Sequence, residues 1–589
     1  MKGKFRKLSK FVATTLAVMM AVSSVPIQVG AAAPAGRRVL RWAETVDIRS
    51  INPFTGNWAT EDTARVWTGG SLYRATLDPD TLEFMYLPSL AADFPVQVDD
   101  YGRVWQISIR PDARWANGSP INADTFMYTF RMALCPDMMN PLASWYALGE
   151  IEILNGVDFV LQNLDGHDPV EWEEVGFRKI DDLTIEIETT QRFNQIDIVR
   201  HFQGLRPVYE PLFEAGMNED RTMSTYATSV DSFMSSGPFI LQSWDLNAER
   251  VYVANPDYPL AHLFHIDEVR ISIVPDIGTI LQLFEAGEID FMENLTIDNY
   301  LRFRDDPRLR HWPSNDVSLL AVNMAHEYHT LLSNLNFRRA LFWSLDREEL
   351  AELVNHRPWT SLLHMMAGGF PDEGILYHDL PEVIAMRPEN YGFDPDRARA
   401  YLALALEEEG LERAVMTHMI TDVAVVGRRK AEWYQASLHE IFGDQLQFII
   451  EPVAAAAFGG IILGWEDNPN TWESAWISWM WGATNRRPNL QFQFFTSTGQ
   501  LNVTDFDSAA PELPAMYTLS LSEEKRMDQA ALIALTIEME QIFNENVLAI
   551  PAYNVMGRSI FSERITLLVD EFDPQAGFAL MQMQIAPLE

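Results

Sequence analysis

The sequence predicts a mixed α/β protein of more than one domain, and three observations carry that prediction. Strand, turn and helix patterns follow one another inside single short segments, as in Trp105 to Phe130, WQISIRPDARWANGSPINADTFMYTF. Alternating and helical apolar spacings both recur further along, at 181–187 and 281–284. The chain has 589 residues, 47% of them hydrophobic, which is enough for two to four domains of about 150 residues and for sizeable cores.

Residues 1–33 stand apart from the rest. Lys2, Lys4, Arg6, Lys7 and Lys10 precede an apolar stretch from Phe11 to Val25, and small residues close it at Gly30, Ala31, Ala32 and Ala33. That order is the pattern of a secretory signal peptide. The apolar stretch is shorter than the roughly 20 residues a membrane span needs. An exported protein, periplasmic or extracellular, is therefore expected. The only cysteine, Cys135, lies far from the cleavage region, so neither a lipid anchor on a new N-terminal cysteine nor an internal disulfide is expected. In its apolar setting Cys135 reads as small core filling.

Acidic residues outnumber basic ones, 83 to 44, for a formal net charge of −39; removing the five basic residues of the leader takes it to −44. Such a surface repels nucleic acid and anionic headgroups, so no nucleic-acid partner is expected. The acidic residues are scattered and form no block, which describes a solvated, soluble surface; the protein is expected to act as a monomer.

Taken in order, Val39 to Trp42 starts a strand. Trp105, Ile107 and Ile109 alternate on one face of a second, and Asn117-Gly118 supplies a dipeptide that tolerates positive φ in a tight turn. Asn122 then caps a helix whose apolar positions are Phe126, Met127 and Phe130. Asp181 to Ile187 is a turn feeding an alternating strand. Leu281, Leu283 and Phe284 form a helical run before Gly287. Asp394 is an N-cap with Pro395 at the first helical position. Four tryptophans, Trp472, Trp476, Trp479 and Trp481, crowd one segment near residue 475. There they read either as strand residues packed in a core or as a ligand surface.

Enzymatic motifs fail on spacing. His326-Glu327-Tyr328-His329 has one residue too few for a zinc-protease helix, and the chain has no G-x-S-x-G elbow, P-loop, G-x-G-x-x-G or paired-cysteine motif. Acidic pairs such as Asp305-Asp306 and Glu466-Asp467 are the only glycosidase-like feature, and a sequence does not give the separation such catalysis requires. No catalytic residue, metal ligand or cofactor is assigned.

The segment from Trp105 to Phe130 resembles the pattern L-R-x-x-x-x-W-S-D-G-x-P-x-T-A-x-D of the bacterial extracellular solute-binding proteins of family 5. Asn117 stands where that pattern has Asp and Asn122 where it has Thr, while Thr125 occupies the final Asp position with Asp124 one place early. Other segments resemble the family in the same order. They are Ile51-Asn52-Pro53, a strand at Pro207-Val208, Ser236-Gly237-Pro238-Phe239 with Asn255-Pro256-Asp257-Tyr258, Gly287-Glu288-Ile289-Asp290, Asn336 to Arg347, Asp394 to Leu402, and Ile550-Pro551-Ala552-Tyr553. The resemblance implies a two-lobed periplasmic-binding-protein fold (type II, cluster C-like) with an inserted domain and a hinge. Residues 1–33 would be the signal peptide. Residues 34–75, 205–295 and 548–589 would make up a discontinuous first lobe that returns to complete its sheet near 205–295 and again after about 548, with 76–204 as the inserted domain and 296–547 as the second lobe. It also implies a function: capture of oligopeptides and delivery to ABC-transporter permease subunits by hinge closure.

The resemblance marks two ligand-binding segments. Trp481, Gly482, Ala483 and Thr484, with Pro488, are similar to the W-x-A-D-x-x-x-P loop that lines the cleft in peptide-binding relatives, where the Asp pairs with the peptide α-amino group. Thr484 replaces that carboxylate, and a neutral hydroxyl does not supply a charge-assisted bond to a buried ammonium. Arg486 and Arg487 follow, either to hold an anion or simply as solvated side chains. Gly56, Asn57, Trp58 and Ala59 occupy the place of a strand that reads peptide backbone. The alternatives are a binder of an oligosaccharide or an anionic compound on the same fold, a secreted glycosidase, and a folding or adhesion role apart from transport.

Overall fold

Val39 to Trp42 begins the strand Val39–Glu44, and its apolar side chains are buried. The computed structural model describes residues 36–54, 59–78, 84–138, 140, 142–148, 151–163, 168–293, 295–326, 329–354, 357–358, 377–422, 425–454, 458, 461–462, 472–480, 487–496, 506–568, 581 and 583–588. Val39–Glu44 pairs in parallel with Glu268–Ile273, which continues antiparallel to Glu249–Ala254 and then Phe239–Asp245. The two motifs that bracket this meander bind each other. The Asn255 N–H donates to the Pro238 carbonyl, its side-chain amide donates to the Gly237 carbonyl, and the Tyr258 hydroxyl meets Ser89 at 2.8 Å.

A smaller four-stranded sheet runs in the order Val96–Gln97, Val104–Ser108, Thr184–Glu188, Phe177–Lys179. Its register sets Trp105 opposite Ile187 and Ile107 opposite Ile185, so the period-2 pattern of both strands buries one shared face. The helix Ala123–Leu134 covers that face, with Phe130 stacked on Phe177 at 4.1 Å between ring centroids. The turn before it has Gly118 at φ +82° and the Asn117 side-chain oxygen accepting from Ser119. Asn122 and Thr125 form a reciprocal capping box, so the hydroxyl of Thr125 performs the return bond usually given by Glu or Gln. Both four-stranded sheets contribute to one continuous core.

The largest sheet has seven strands. Its main path is Phe291–Met292, Ile550–Phe561, Leu309–Val322, Ser474–Met480, Ala414–Thr421, Leu446–Val453, and Arg357–Pro358 pairs with Ile550–Phe561. The helices Leu335–Ser344, Pro395–Glu409 and Val425–Phe442 supply the apolar residues Phe337, Leu341, Leu402 and Tyr434 that build a second core against it. Asp394 caps Pro395–Glu409 and Gly410 ends it at φ 67°, as Pro at the start and Gly past the end require. The buried Arg347 donates to the carbonyls of Pro551, Phe342, Leu345 and Tyr391, so two of the family-like motifs are a single long-range contact.

The result is a two-lobed α/β fold. Ile550–Phe561 links its cores: Ile550, Ala552 and Tyr553 belong to the second core and Phe561 to the first. Twelve extended residues span about 40 Å. Beside this strand, Asp290 is wholly buried and ion-paired with both Arg41 and Arg564, which ties the first strand, the link and the C-terminal segment together.

Two expectations are corrected. Pro207 and Val208 lie in no strand; proline has no N–H to donate, and that of Val208 goes to the Thr129 hydroxyl. After 548 the chain does not complete the first sheet. Ile550–Phe561 joins the seven-stranded sheet, whereas Ile565, Met583 and Ile585 pack on the first core from a separate two-stranded sheet. Cys135, at the C-cap of its helix, is half-buried and packs against the first core, in keeping with the core-filling reading. No helix among the described residues is long and apolar enough to cross a membrane, and the leader segment lies outside them.

Candidate functional site

The strand that leads to the tryptophan-rich loop is held on both sides. Ser474–Met480 pairs antiparallel with Leu309–Val322, Trp476 opposite Leu320, and parallel with Ala414–Thr421, His418 opposite Ser474. Trp472 and Trp476 are buried in cores, in keeping with the packing reading. Trp479 lies on the strand, and its side chain is outside the described set, as are Trp481, Gly482, Ala483, Thr484 and Arg486. Asn57 and Trp58 also fall outside it. Ala59 is the first residue of the helix Ala59–Thr68, so the extended, backbone-reading segment expected there does not reach Ala59. The helix is stabilised by an i, i+4 pair between the buried Glu61 and Arg65.

Beside the strand Ser474–Met480 is a polar cluster that the sequence did not reveal. The Ser474 hydroxyl donates to the Thr417 carbonyl at 3.0 Å, so His418 Nδ1, 3.1 Å from the same oxygen, carries the proton. Burial, with Lys430 adding, pushes His418 down to about 3. Lys430 donates to the Tyr553 hydroxyl at 2.9 Å and lies 5.2 Å from the Trp476 ring centroid.

Where the chain returns from the loop, Arg487 precedes the 3-10 segment Pro488–Phe495 and is buried. This corrects the solvated reading for Arg487. Its Nη2 lies 3.1 Å from Asp197 Oδ1. Asp197 is buried in the helix Gln195–Gln203, as are Ile198, Val199, Arg200 and Phe202. Arg200, also buried, has its Nη1 3.7 Å from the same carboxylate oxygen, and none of its guanidinium nitrogens makes a hydrogen bond. Arg526 stacks over Phe193, 3.7 Å to the ring centroid, and donates to the carbonyls of Arg192 and Leu521. Burial pushes the Arg526 guanidinium down to about 10, with Asp197 opposing and Arg487 adding to the shift. Gln191 donates to the Leu521 carbonyl, and the Arg192 N–H donates to Glu523. Residues 191–200 and 487–526 therefore meet across a cavity of about 380 Å³ with Ile151, Phe193, Leu490, Tyr517 and Leu521 in its walls.

Sequence reasoning missed Asp197, Arg200 and Arg526. One signal was present: the charged residues 197 and 200 stand one turn apart within the apolar run Ile196, Ile198, Val199 and Phe202, and charges in such a run are buried only with partners. Among the described residues no group of three His, Cys, Asp or Glu side chains is placed to hold a metal ion.

Residues 86–502 match the model of the bacterial extracellular solute-binding proteins, family 5, middle region. The chain is 22% identical over 334 residues to the oligopeptide-binding protein OppA of Bacillus subtilis (strain 168), covering 54% of each chain. It is 23% identical over 328 residues to the nickel-binding periplasmic protein of Escherichia coli (strain K12), covering 54% of this chain and 53% of that one. The alignments thus span about half the length of these relatives. Listeria monocytogenes OppA bound to peptide superposes with a TM-score of 0.72 at 20% identity, covering 94% of this chain and 99% of that one, a likeness of fold.

Proposed function

Because the chain belongs to the bacterial extracellular solute-binding proteins of family 5, we propose that it captures oligopeptides outside the cytoplasm and hands them to the permease of an ABC importer. The family consists of solute-binding proteins and not of enzymes. Its relatives include one named for oligopeptides and one named for nickel, so the ligand has to be argued from this chain.

The observation that carries the reading is the position of Arg487. It closes the segment 481–487, which begins at a central strand of the largest sheet, and its side chain is buried against Asp197 of the helix Gln195–Gln203. In this reading the segment between these two anchors belongs where two lobes close on a ligand. Capture then works by shifting an open-to-closed equilibrium, and the shift is limited by the ligand's preference for the closed form. In this reading Trp481 to Thr484 and Arg486 face the ligand from one side and Asn57 and Trp58 from the other, and main-chain pairing supplies sequence-tolerant affinity. The division into a discontinuous lobe, an inserted domain and a second lobe, with Ile550–Phe561 in the hinge, belongs to the same proposal.

Calorimetric titration of the refolded, ligand-free protein with mixed tri- to hexapeptides tests it. Saturable heat that a disaccharide mixture does not reproduce is expected. Heat from saccharides and none from peptides would overturn it.

A further inference from the structure

The cavity between residues 148–197 and 487–526 is lined by two guanidiniums, Arg487 and Arg526, and two carboxylates, Asp197 and Glu152, with the guanidinium of Arg200 also against Asp197. Arg200, Arg487 and Arg526 are all more than nine-tenths buried, and the one fully buried carboxylate among them is Asp197. Glu152, half-buried in the cavity wall, is engaged by the Thr190 hydroxyl at 2.6 Å. The donors nonetheless outnumber their acceptors: Arg526 Nη1 and all three guanidinium nitrogens of Arg200 are buried without a hydrogen-bond partner. Glu523, outside the cavity lining, is exposed, bonds the Arg192 backbone and also acts on the Arg526 charge. A buried cation lacking a full complement of hydrogen-bond partners is destabilising, and an arriving anion relieves it. Arg487 is the member best placed to meet one. It lines the cavity, and Asp197 is the one carboxylate it touches among the described residues.

We propose that this cavity is a binding site for a carboxylate carried on an apolar group, with Arg487 as its direct partner and Arg200 and Arg526 supplying the field. The apolar part is set by Ile151, Phe193, Leu490, Tyr517 and Leu521. A volume of about 380 Å³ admits one amino-acid-sized unit with its flanking amide. Asn489, also in the lining, has a side-chain oxygen without a hydrogen-bond partner and a side-chain N–H₂ given to Ser520, which suits a ligand that also brings an amide N–H. The carboxylate belongs either to a chain terminus or to an acidic side chain. Both walls contribute, so an anion bound here also favours the arrangement in which 191–200 meets 487–526.

The test follows the thermal unfolding midpoint of the full mature chain during titration with N-acetyl-leucinate, its neutral amide, and the α-amide of N-acetyl-glutamate. The acids are expected to raise the midpoint in a saturable way and the neutral amide to leave it unchanged. The more effective acid identifies the source of the carboxylate. Arg487→Gln is expected to weaken the acid effect by about tenfold, as loss of a charge-assisted contact does. Because Arg487→Gln also removes the contact with Asp197, the readout is the difference between acid and amide within one variant, and Arg487→Lys is expected to retain part of it. Equal effects of acid and amide, no effect of either acid, or an acid effect undiminished in Arg487→Gln would each overturn the proposal. It stands apart from peptide capture: an acid effect without peptide binding upholds this site alone, and peptide binding without an acid effect removes it alone.

Discussion

Replacing Asp290 by alanine strikes the point where three distant parts of the chain converge. The carboxylate is fully buried and accepts from the Arg41 backbone N–H at 2.8 Å, from Arg41 Nε and Nη2 at 3.1 and 2.9 Å, and from Arg564 Nη1 at 2.6 Å. Removing one member of a buried ion pair costs about 3–5 kcal/mol because the partner charge is left behind. Here the partners are 25% and 21% exposed, so each guanidinium recovers some hydration, and about 2–4 kcal/mol is the expected loss. Asp290→Asn keeps an acceptor but no charge, and about half that loss is expected. Urea unfolding followed by tryptophan fluorescence measures it, in the transition that exposes the first core. A loss below about 0.5 kcal/mol for Asp290→Ala would refute the view that this carboxylate holds the link between the cores.

Further outcomes follow from the same structure. His418 is neutral in the fold down to about pH 3. Above pH 6.5 neither state is charged; as pH falls from 6.5 towards 3 only the unfolded chain takes up the proton, so stability drops by up to about 1.4 kcal/mol per pH unit. The stability difference between wild type and His418→Phe, measured by urea unfolding from pH 7.5 to 5, should show that slope, and a flat difference would contradict it. Asn122→Ala removes the acceptor of the capping box and should cost about 1 kcal/mol of stability in the same assay. Thr484→Asp restores a carboxylate where the family pattern has one and is expected to tighten binding of free-amine peptides about tenfold over their N-acetylated forms. A calorimetric comparison of the two peptide classes checks it, and no preference would remove residue 484 from the amine site.

What the sequence made legible was local. Trp105, Ile107 and Ile109 alternate because one face of a sheet is buried, and Asn122 announces a helix because its first N–H groups need an acceptor; both are properties of a few adjacent residues. The contacts that place the site are of another kind. Asp197 and Arg487 lie far apart in the chain, as do Arg347 and Pro551, and nothing in their neighbours states the pairing. Arg487 illustrates the limit: in sequence it is one of two adjacent arginines in a polar stretch, and only the approach of the helix Gln195–Gln203 makes it a buried group. Ala59 illustrates the converse, since the resemblance suggested an extended segment while Glu61 and Arg65 close a helical turn beside it.

The most direct test of peptide capture is native mass spectrometry of the mature protein purified from its own host, with fragmentation of whatever is released. The account predicts a ladder of peptide masses bound one per chain. A single non-peptide mass, recovered reproducibly, would contradict it.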